Sequence, residues 1–495
     1  MSWIIKHKIL ILAVIFSAAA VFYFAGLNGS FPVQEDSAIY ITKAKNIAGC
    51  LNHGLFGAQV ALRPYYPPVY SWIIAPVVYL LPRDYFALKL LSALLALVLL
   101  FVVFLAGKKF FHKDLAIPVL ALFALSPQIA FYSRSILTEI PYTLFSLLSL
   151  YFFIRYEDKE SPERIYFFAA VLAALLTFYT RIIGVSLLIS IALFLFLKGK
   201  LKKAVLFCGV CALGLAPWIW SNLISARSDY ISEFSVRTLG VTGFIGRWVY
   251  NLCATVGKEL PDLFFSPFLA QIDPSDKLFV YKFIVGLLLA VFILAGFLLK
   301  IKKEGWALTD LYVAVYSFMF YLSWTHHGAR YLVPVLAFLL YYFLLGIKGA
   351  SCKPGLFYPL IILFVCLAVA GNLKAISGEK HSPFTPAEES FIRSVDWLES
   401  NVSRDSVVIS RYPYWILVYT NGIRGMKFIK TVDPKEQYSY ILKNKADYLI
   451  IDQNKIYRDD SRDYLLPLVE RYKEGFEKVY SGAGPVKTFI YRVKK

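Results

Sequence analysis

Apolar residues fall along this chain in blocks near 8–27, 84–106, 114–131, 138–155, 165–180, 182–198, 203–221, 279–299, 308–324, 330–347 and 356–374. Each is close to the roughly twenty residues that a membrane-crossing helix needs. The pattern therefore predicts a polytopic α-helical membrane protein with about eleven transmembrane helices over 1–374. Beyond 374 polar residues return. Helix-like runs near 386–400, 433–444 and 462–474 alternate there with strand-like pieces at Val407–Ser410, Tyr448–Asp452, Phe476–Ser481 and Thr488–Val493. This alternation predicts a small α/β domain over 375–495. It has no G-x-G-x-x-G and no P-loop, so no nucleotide site is expected in it. The first block follows Lys6 and Lys8 without a small-residue cleavage site before Asn28, and reads as a retained anchor.

Between the first two blocks, Asn28–Leu81 breaks the rhythm. Glu35 and Asp36 open a helical pattern in which Tyr40, Ala44, Ile47, Ala48 and Leu51 share one stripe. Gly54 and Gly57 loosen the chain, and Pro64, Pro67 and Pro68 stiffen it before a second apolar piece, Val69–Leu81. That piece is too short for a comfortable span and reads as re-entrant or interfacial. Residues 28–83 thus form a first outer loop with interfacial helices, and 222–278 a second, longer one.

Composition agrees with the pattern. Of 495 residues, 58% are hydrophobic and 17% aromatic, which excludes an ordinary soluble protein. The net charge of +19 could suggest nucleic acid, but the basic residues cluster between blocks. Lys108, Lys109 and Lys113; Lys159 and Arg164; Lys198, Lys200, Lys202 and Lys203; Lys300, Lys302 and Lys303; and Lys348 and Lys353 all fall on one side when the N-terminus is cytoplasmic. Were Val69–Leu81 a span, every later cluster would face outward. The positive-inside rule thus supports the re-entrant reading and places the C-terminal domain outside a cell (inner or plasma) membrane. Cys208 and Cys211 lack the second pair of a zinc site and read as packing residues, while Cys50 and Cys253 share the outer side and allow a disulfide.

Outer turns should be poor in arginine, yet Arg63, Arg134, Arg181 and Arg330 lie in or beside them. Guanidinium groups at the boundary are costly unless paired or binding anions, and arginine suits phosphate. Glu35, Asp36 and Glu139 share that side. The set suggests a site that holds a phosphate and deprotonates an acceptor. Structural alternatives exist for each residue: an N-cap role for Asp36, a dipole role for Glu139, snorkelling for each arginine. His326-His327 lacks a third ligand and reads as a polar turn rather than a metal site, so no metal or other cofactor is expected. An outer site without a nucleotide-binding domain is badly placed for a cytosolic nucleotide sugar or ATP. A polyprenyl-phosphate sugar, in contrast, presents an activated carbon at the boundary. Its phosphate leaves with electrostatic help, so one carboxylate acting as base on a hydroxyl suffices.

The segments Asp36-Ser-Ala-Ile-Tyr40, Tyr66-Pro67-Pro68-Val69-Tyr70, Ser126-Pro127, Tyr132-Ser-Arg134, Thr138-Glu139-Ile-Pro141, Thr180-Arg181 and Arg330-Tyr331-Leu-Val-Pro334 occur in this order over roughly residues 1–350. In this order they resemble the GT-C superfamily of membrane glycosyltransferases, in the branch of protein O-mannosyltransferases and lipid A aminoarabinose transferases. The resemblance implies inverting transfer from a polyprenyl-phosphate sugar to a lipid, glycan or protein hydroxyl, among membrane lipids and without nucleic acid. It maps the first-loop acid to Asp36, the second acid to Glu139, and the phosphate contacts to Arg181 and Arg330, with Arg134 and Arg63 as further candidates. Tyr40, Tyr66, Tyr331 and His327 become candidates for positioning donor or acceptor. Many members carry Asp-Glu in the first loop; Glu35-Asp36-Ser37 departs from this and leaves two candidate bases. The rival reading, a transporter or flippase for lipid-linked glycans, expects mid-span charges and related halves. The sequence offers neither. The enzyme reading expects Asp36, Arg181 and Arg330 to converge.

Overall fold

In lipid a backbone can satisfy its polar groups only within itself, so the long apolar blocks become helices. The computed structural model describes residues 8–31, 35–49, 66–158, 164–224, 236–270, 272, 275–323, 328–350, 355, 357–378, 384–420, 422–452, 461–483 and 486–494. The helices are α1 (Lys8–Phe24), α2 (Glu35–Ile47), α3 (Val69–Leu80), α4 (Tyr85–Phe110), α5 (Ala116–Ala124), α6 (Pro127–Ser133), α7 (Glu139–Glu157), α8 (Arg164–Thr180), α9 (Val185–Leu197), α10 (Leu201–Ile224), α11 (Val236–Ala254), α12 (Leu260–Phe265), α13 (Phe279–Glu304), α14 (Leu308–Ser323), α15 (Leu336–Ala350) and α16 (Phe357–Gly378). Among the described residues five are long and apolar enough to cross a membrane, or six if the bent pair α5–α6 is one span. Five shorter apolar helices accompany them, Val69–Leu80 among them. The chain is a multi-pass membrane protein. A count of eleven spans goes beyond these lengths.

The chain divides into two compact units. One comprises Met1–Leu27, Pro64–Tyr70 and Lys89–Gly378; the other comprises Asn28–Arg63, Ser71–Leu88 and Glu379–Lys495. The second unit takes in most of the first outer loop together with the residues after Gly378.

In the first unit, α5 and α6 meet at 53° where Pro127 interrupts the helix. Carbonyls at such a break need new donors. The Tyr23 hydroxyl donates to the Ala124 carbonyl at 2.9 Å and Asn372 Nδ2 to that of Leu125 at 2.7 Å. Helices α13 and α15 approach closely through glycine: a Cβ on Gly296 would lie 1.8 Å from the Tyr342 carbonyl oxygen, and one on Gly346 2.0 Å from that of Phe292. Several basic residues of the clusters are paired: Lys200 and Lys203 with Glu157, Lys109 with Asp158, Lys348 with Asp114, and buried Lys300 with Asp310. The possible Cys50–Cys253 pairing lies outside the description because Cys50 is not among the described residues; Cys211 is buried as a packing residue should be, whereas Cys208 is exposed.

In the second unit, the described residues between 386 and 494 include a five-stranded sheet of order β2-β1-β3-β5-β4, with β1 Val407–Ile409, β2 Arg424–Met426, β3 Tyr448–Ile451, β4 Phe476–Ser481 and β5 Phe489–Val493. The first three strands are parallel and the last two pair antiparallel. Helices α17 (Pro386–Asn401), α18 (Pro413–Tyr419), α19 (Pro434–Lys443) and α20 (Ser461–Arg471) cover it. Alternate residues of β3 face opposite ways. Leu449 and Ile451 join Ile441, Leu465 and Leu468, whereas Tyr448 and Ile450 join Phe391, Val395 and Trp415. Four strands and three helices match the sequence expectation. β2 and α18 were missed, because Arg-Gly-Met carries no strand pattern and a seven-residue helix too few repeats.

Candidate functional site

Glu139 opens α7 within the first unit, and its side chain is wholly buried. Arg181 follows the last residue of α8, and Arg330 lies in the 3-10 turn Ala329–Val335 that precedes α15. These elements bring both guanidinium groups to one carboxylate oxygen. Arg181 Nη1 and Arg330 Nε each donate to Glu139 Oε1 at 2.8 Å. The Tyr331 ring lies against both cations, 5.0 Å from the Arg181 guanidinium carbon and 5.2 Å from that of Arg330. The Tyr331 carbonyl in turn accepts from the Tyr316 hydroxyl at 2.6 Å, which fixes the turn. Thr143 Oγ1 donates to the Glu139 carbonyl at 2.7 Å and tightens the first turn of α7.

Two cations share one carboxylate oxygen here. Burying two like charges is tolerable because Glu139 lies between them. Glu139 Oε2 is buried without a hydrogen-bond partner among the described residues. The side chain of Arg181, 12% exposed, spends one of its five N–H donors on Glu139. The arrangement can therefore accept an anion at the guanidinium groups and a donor at the free carboxylate oxygen.

The other predicted residues belong to several elements. Arg134 is buried and donates Nη1 to the Phe22 carbonyl at 3.4 Å, at the C-terminal end of α1. Tyr66 is half-buried in the first unit. Asp36 and Tyr40 belong to α2 in the second unit, Asp36 half-buried and Tyr40 buried. Glu35 begins α2, and its side chain is outside the description, as are Arg63 and His327.

Tyr70 and Tyr132, which the motifs contain without a role in the site, and Tyr316, which sequence reasoning missed, are buried within electrostatic reach of Glu139. Glu259 ends a π-helical turn, Thr255–Glu259, in the stretch between the blocks at 203–221 and 279–299. It is fully buried, and Thr255 Oγ1 donates to its Oε2 at 3.1 Å. Burial pushes its carboxyl up to about 7, against the Thr255 hydrogen bond and Lys258, with Asp262 adding to the rise. Nothing in its sequence context singles it out; the π turn, a feature frequent at functional sites, is visible only in three dimensions.

Comparison with known proteins bears on this arrangement. Over residues 65–220 the sequence matches the family described as dolichyl-phosphate-mannose-protein mannosyltransferase. ArnT from Cupriavidus metallidurans, solved bound to undecaprenyl phosphate, is similar in structure with a TM-score of 0.60 at 13% identity, over 98% of each chain. The oligosaccharyltransferase AglB from Archaeoglobus fulgidus, solved with an inhibitory peptide and a dolichol-phosphate, gives 0.63 at 13% identity, over 98% of this chain and 74% of that one. This chain has the GT-C fold. Mycobacterial arabinofuranosyltransferase AftD is also similar, at a TM-score of 0.51 and 14% identity, over 98% of this chain and 41% of that one. No curated protein matches in sequence. The GT-C resemblance drawn from the ordered motifs thus agrees with the fold, at identities where only the fold is shared.

Proposed function

We propose that the protein is an inverting glycosyltransferase that moves a sugar from a polyprenyl-phosphate donor to a hydroxyl of a lipid, glycan or protein on the outer face of the membrane. The observation that carries this reading is the Arg181–Glu139–Arg330 cluster within a GT-C fold. Paired guanidinium groups suit a phosphate that gains charge as the sugar departs, and hydrogen bonds to a developing anion strengthen as that charge grows. Asp36, on α2, is assigned as the base on the acceptor hydroxyl, with Glu35 beside it. Glu139 holds the arginines and orients the acceptor or its loop through Oε2. Tyr331 keeps both guanidinium planes aimed, and the remaining candidates, Arg63, Arg134, Tyr40, Tyr66 and His327, assist binding. The relatives solved with undecaprenyl phosphate and dolichol-phosphate support a lipid phosphate as ligand.

Asp36→Asn tests the assignment of the base. Purified variant in lipid nanodiscs is expected to keep the wild-type unfolding temperature and lose transfer from a polyprenyl-phosphate sugar by about a hundredfold or more, the usual contribution of a general base. Wild-type turnover by Asp36→Asn would show that another group is the base.

A further inference from the structure

The C-terminal domain carries no motif for an acceptor, yet its unit includes the helix that bears Asp36. Lys45, nine residues on from Asp36 in α2, is 3% exposed. Its Nζ donates to the carbonyls of Leu417 at 3.1 Å, Val418 at 2.6 Å and Thr420 at 3.2 Å. These carbonyls end α18, where the last turn of a helix leaves its acceptors without intrahelical partners. An ammonium has three donors, and all three are used here. A charge buried this way is held in one place, because moving it would strand both the cation and the carbonyls.

Further contacts pin the chain on the other side of α2. The Tyr419 hydroxyl donates to the Phe31 carbonyl at 3.0 Å. Phe31 stacks on Tyr85 at 4.8 Å, Tyr85 meets Tyr419 edge-on at 5.7 Å, and the Tyr85 hydroxyl donates to the Val418 carbonyl at 3.4 Å. Arg83 pairs with Glu399 of α17 at 2.5 Å. The chain entering α2 and the last turns of α2 are thus fastened to one short helix of the α/β fold, with buried Ala38, Ile41, Thr42 and Ala44 between.

From these contacts we infer that the C-terminal domain orients the helix carrying Asp36, and that Lys45 is the positioning residue that transmits this through the end of α18. The inference rests on the reading of Asp36 as base. It makes the domain part of the catalytic apparatus rather than an appended acceptor-binding module. Transfer then depends on a contact between residues more than 370 positions apart in sequence.

Lys45→Met, which keeps the aliphatic stem and removes the charge, is the test, with Tyr419→Phe as a milder second variant and Lys45→Arg as the conservative control. Amide hydrogen exchange and transfer kinetics are measured on full-length protein in nanodiscs. In Lys45→Met, exchange in residues 36–48 and 414–420 is expected to rise about tenfold or more while helices α7 to α9 stay protected. The kcat is expected to fall about tenfold with little change in the KM for the donor. Lys45→Arg is expected to recover part of both, and Tyr419→Phe to show both effects more weakly. Unchanged exchange in α2 would overturn the inference whatever the rate. Raised exchange with wild-type kcat would overturn it too, and Asp36→Asn then decides separately whether the base assignment also falls. Should Lys45→Met not fold, the same two readouts on Tyr419→Phe decide.

Discussion

Replacing Glu139 by Gln separates the electrostatic role of this carboxylate from its shape. Gln fills nearly the same volume but removes the anion between two guanidinium groups that now share Oε1 at 2.8 Å each. Arg181 and Arg330 have side chains only 12% and 26% exposed, so water screens them poorly. Breaking a buried pair by removing one partner typically costs about 3–5 kcal/mol, because the cation left behind stays desolvated. Here one carboxylate serves two cations, so a cost within that range is expected for the ligand-free protein. A phosphate can take the place of the lost carboxylate. Undecaprenyl phosphate should therefore raise the unfolding temperature of Glu139→Gln more than that of the wild type, since a ligand stabilises by its affinity for the folded state. The assay is thermal unfolding in nanodiscs with and without the lipid phosphate, beside transfer kinetics. Unfolding temperatures equal to wild type in both conditions would refute the claim that Glu139 neutralises the arginine pair. A loss of stability that the lipid does not preferentially restore would refute phosphate binding at the pair.

Arg330→Ala is expected to weaken donor use, raising its KM about tenfold or more with a smaller change in kcat, as read by steady-state kinetics with varied donor. Glu259→Gln should change the pH dependence of stability. The folded carboxyl titrates at about 7 against an ordinary 4.5, so the folded state holds the proton more tightly and stability falls as pH rises from about 4.5 to 7. Wild type and Glu259→Gln should therefore converge near pH 4. At pH 8 the variant should be the more stable by roughly 3 kcal/mol, the equivalent of that shift, and parallel pH curves in denaturation would contradict the buried-acid reading. Gly346→Ala places a Cβ 2.0 Å from the Phe292 carbonyl oxygen, so α13 and α15 must separate, at a cost of about 1–3 kcal/mol. A wild-type unfolding temperature would show that the helices do not meet there.

Much of the fold was legible from local pattern. Apolar blocks gave the long apolar helices, and the alternation after residue 374 gave most of the α/β domain, whereas the bend at Pro127 lies inside a block, 114–131, that reads as one span. The features that were read depend on periods of two or 3.6 residues, which neighbouring residues decide by themselves. The arginines stood out for a similar reason, as charges where the topology did not call for them.

What the sequence could not decide was which charges meet. Glu139 receives Arg181 from 42 residues away and Arg330 from 191, and Lys45 reaches α18 across more than 370. No periodicity spans such distances; helix crossings, glycine contacts and buried tyrosines bring these groups together. The grouping of the first loop with the C-terminal domain has the same origin. Its residues look interfacial in sequence, but a buried lysine and the end of a short helix satisfy each other's hydrogen bonds, and only the folded chain supplies both.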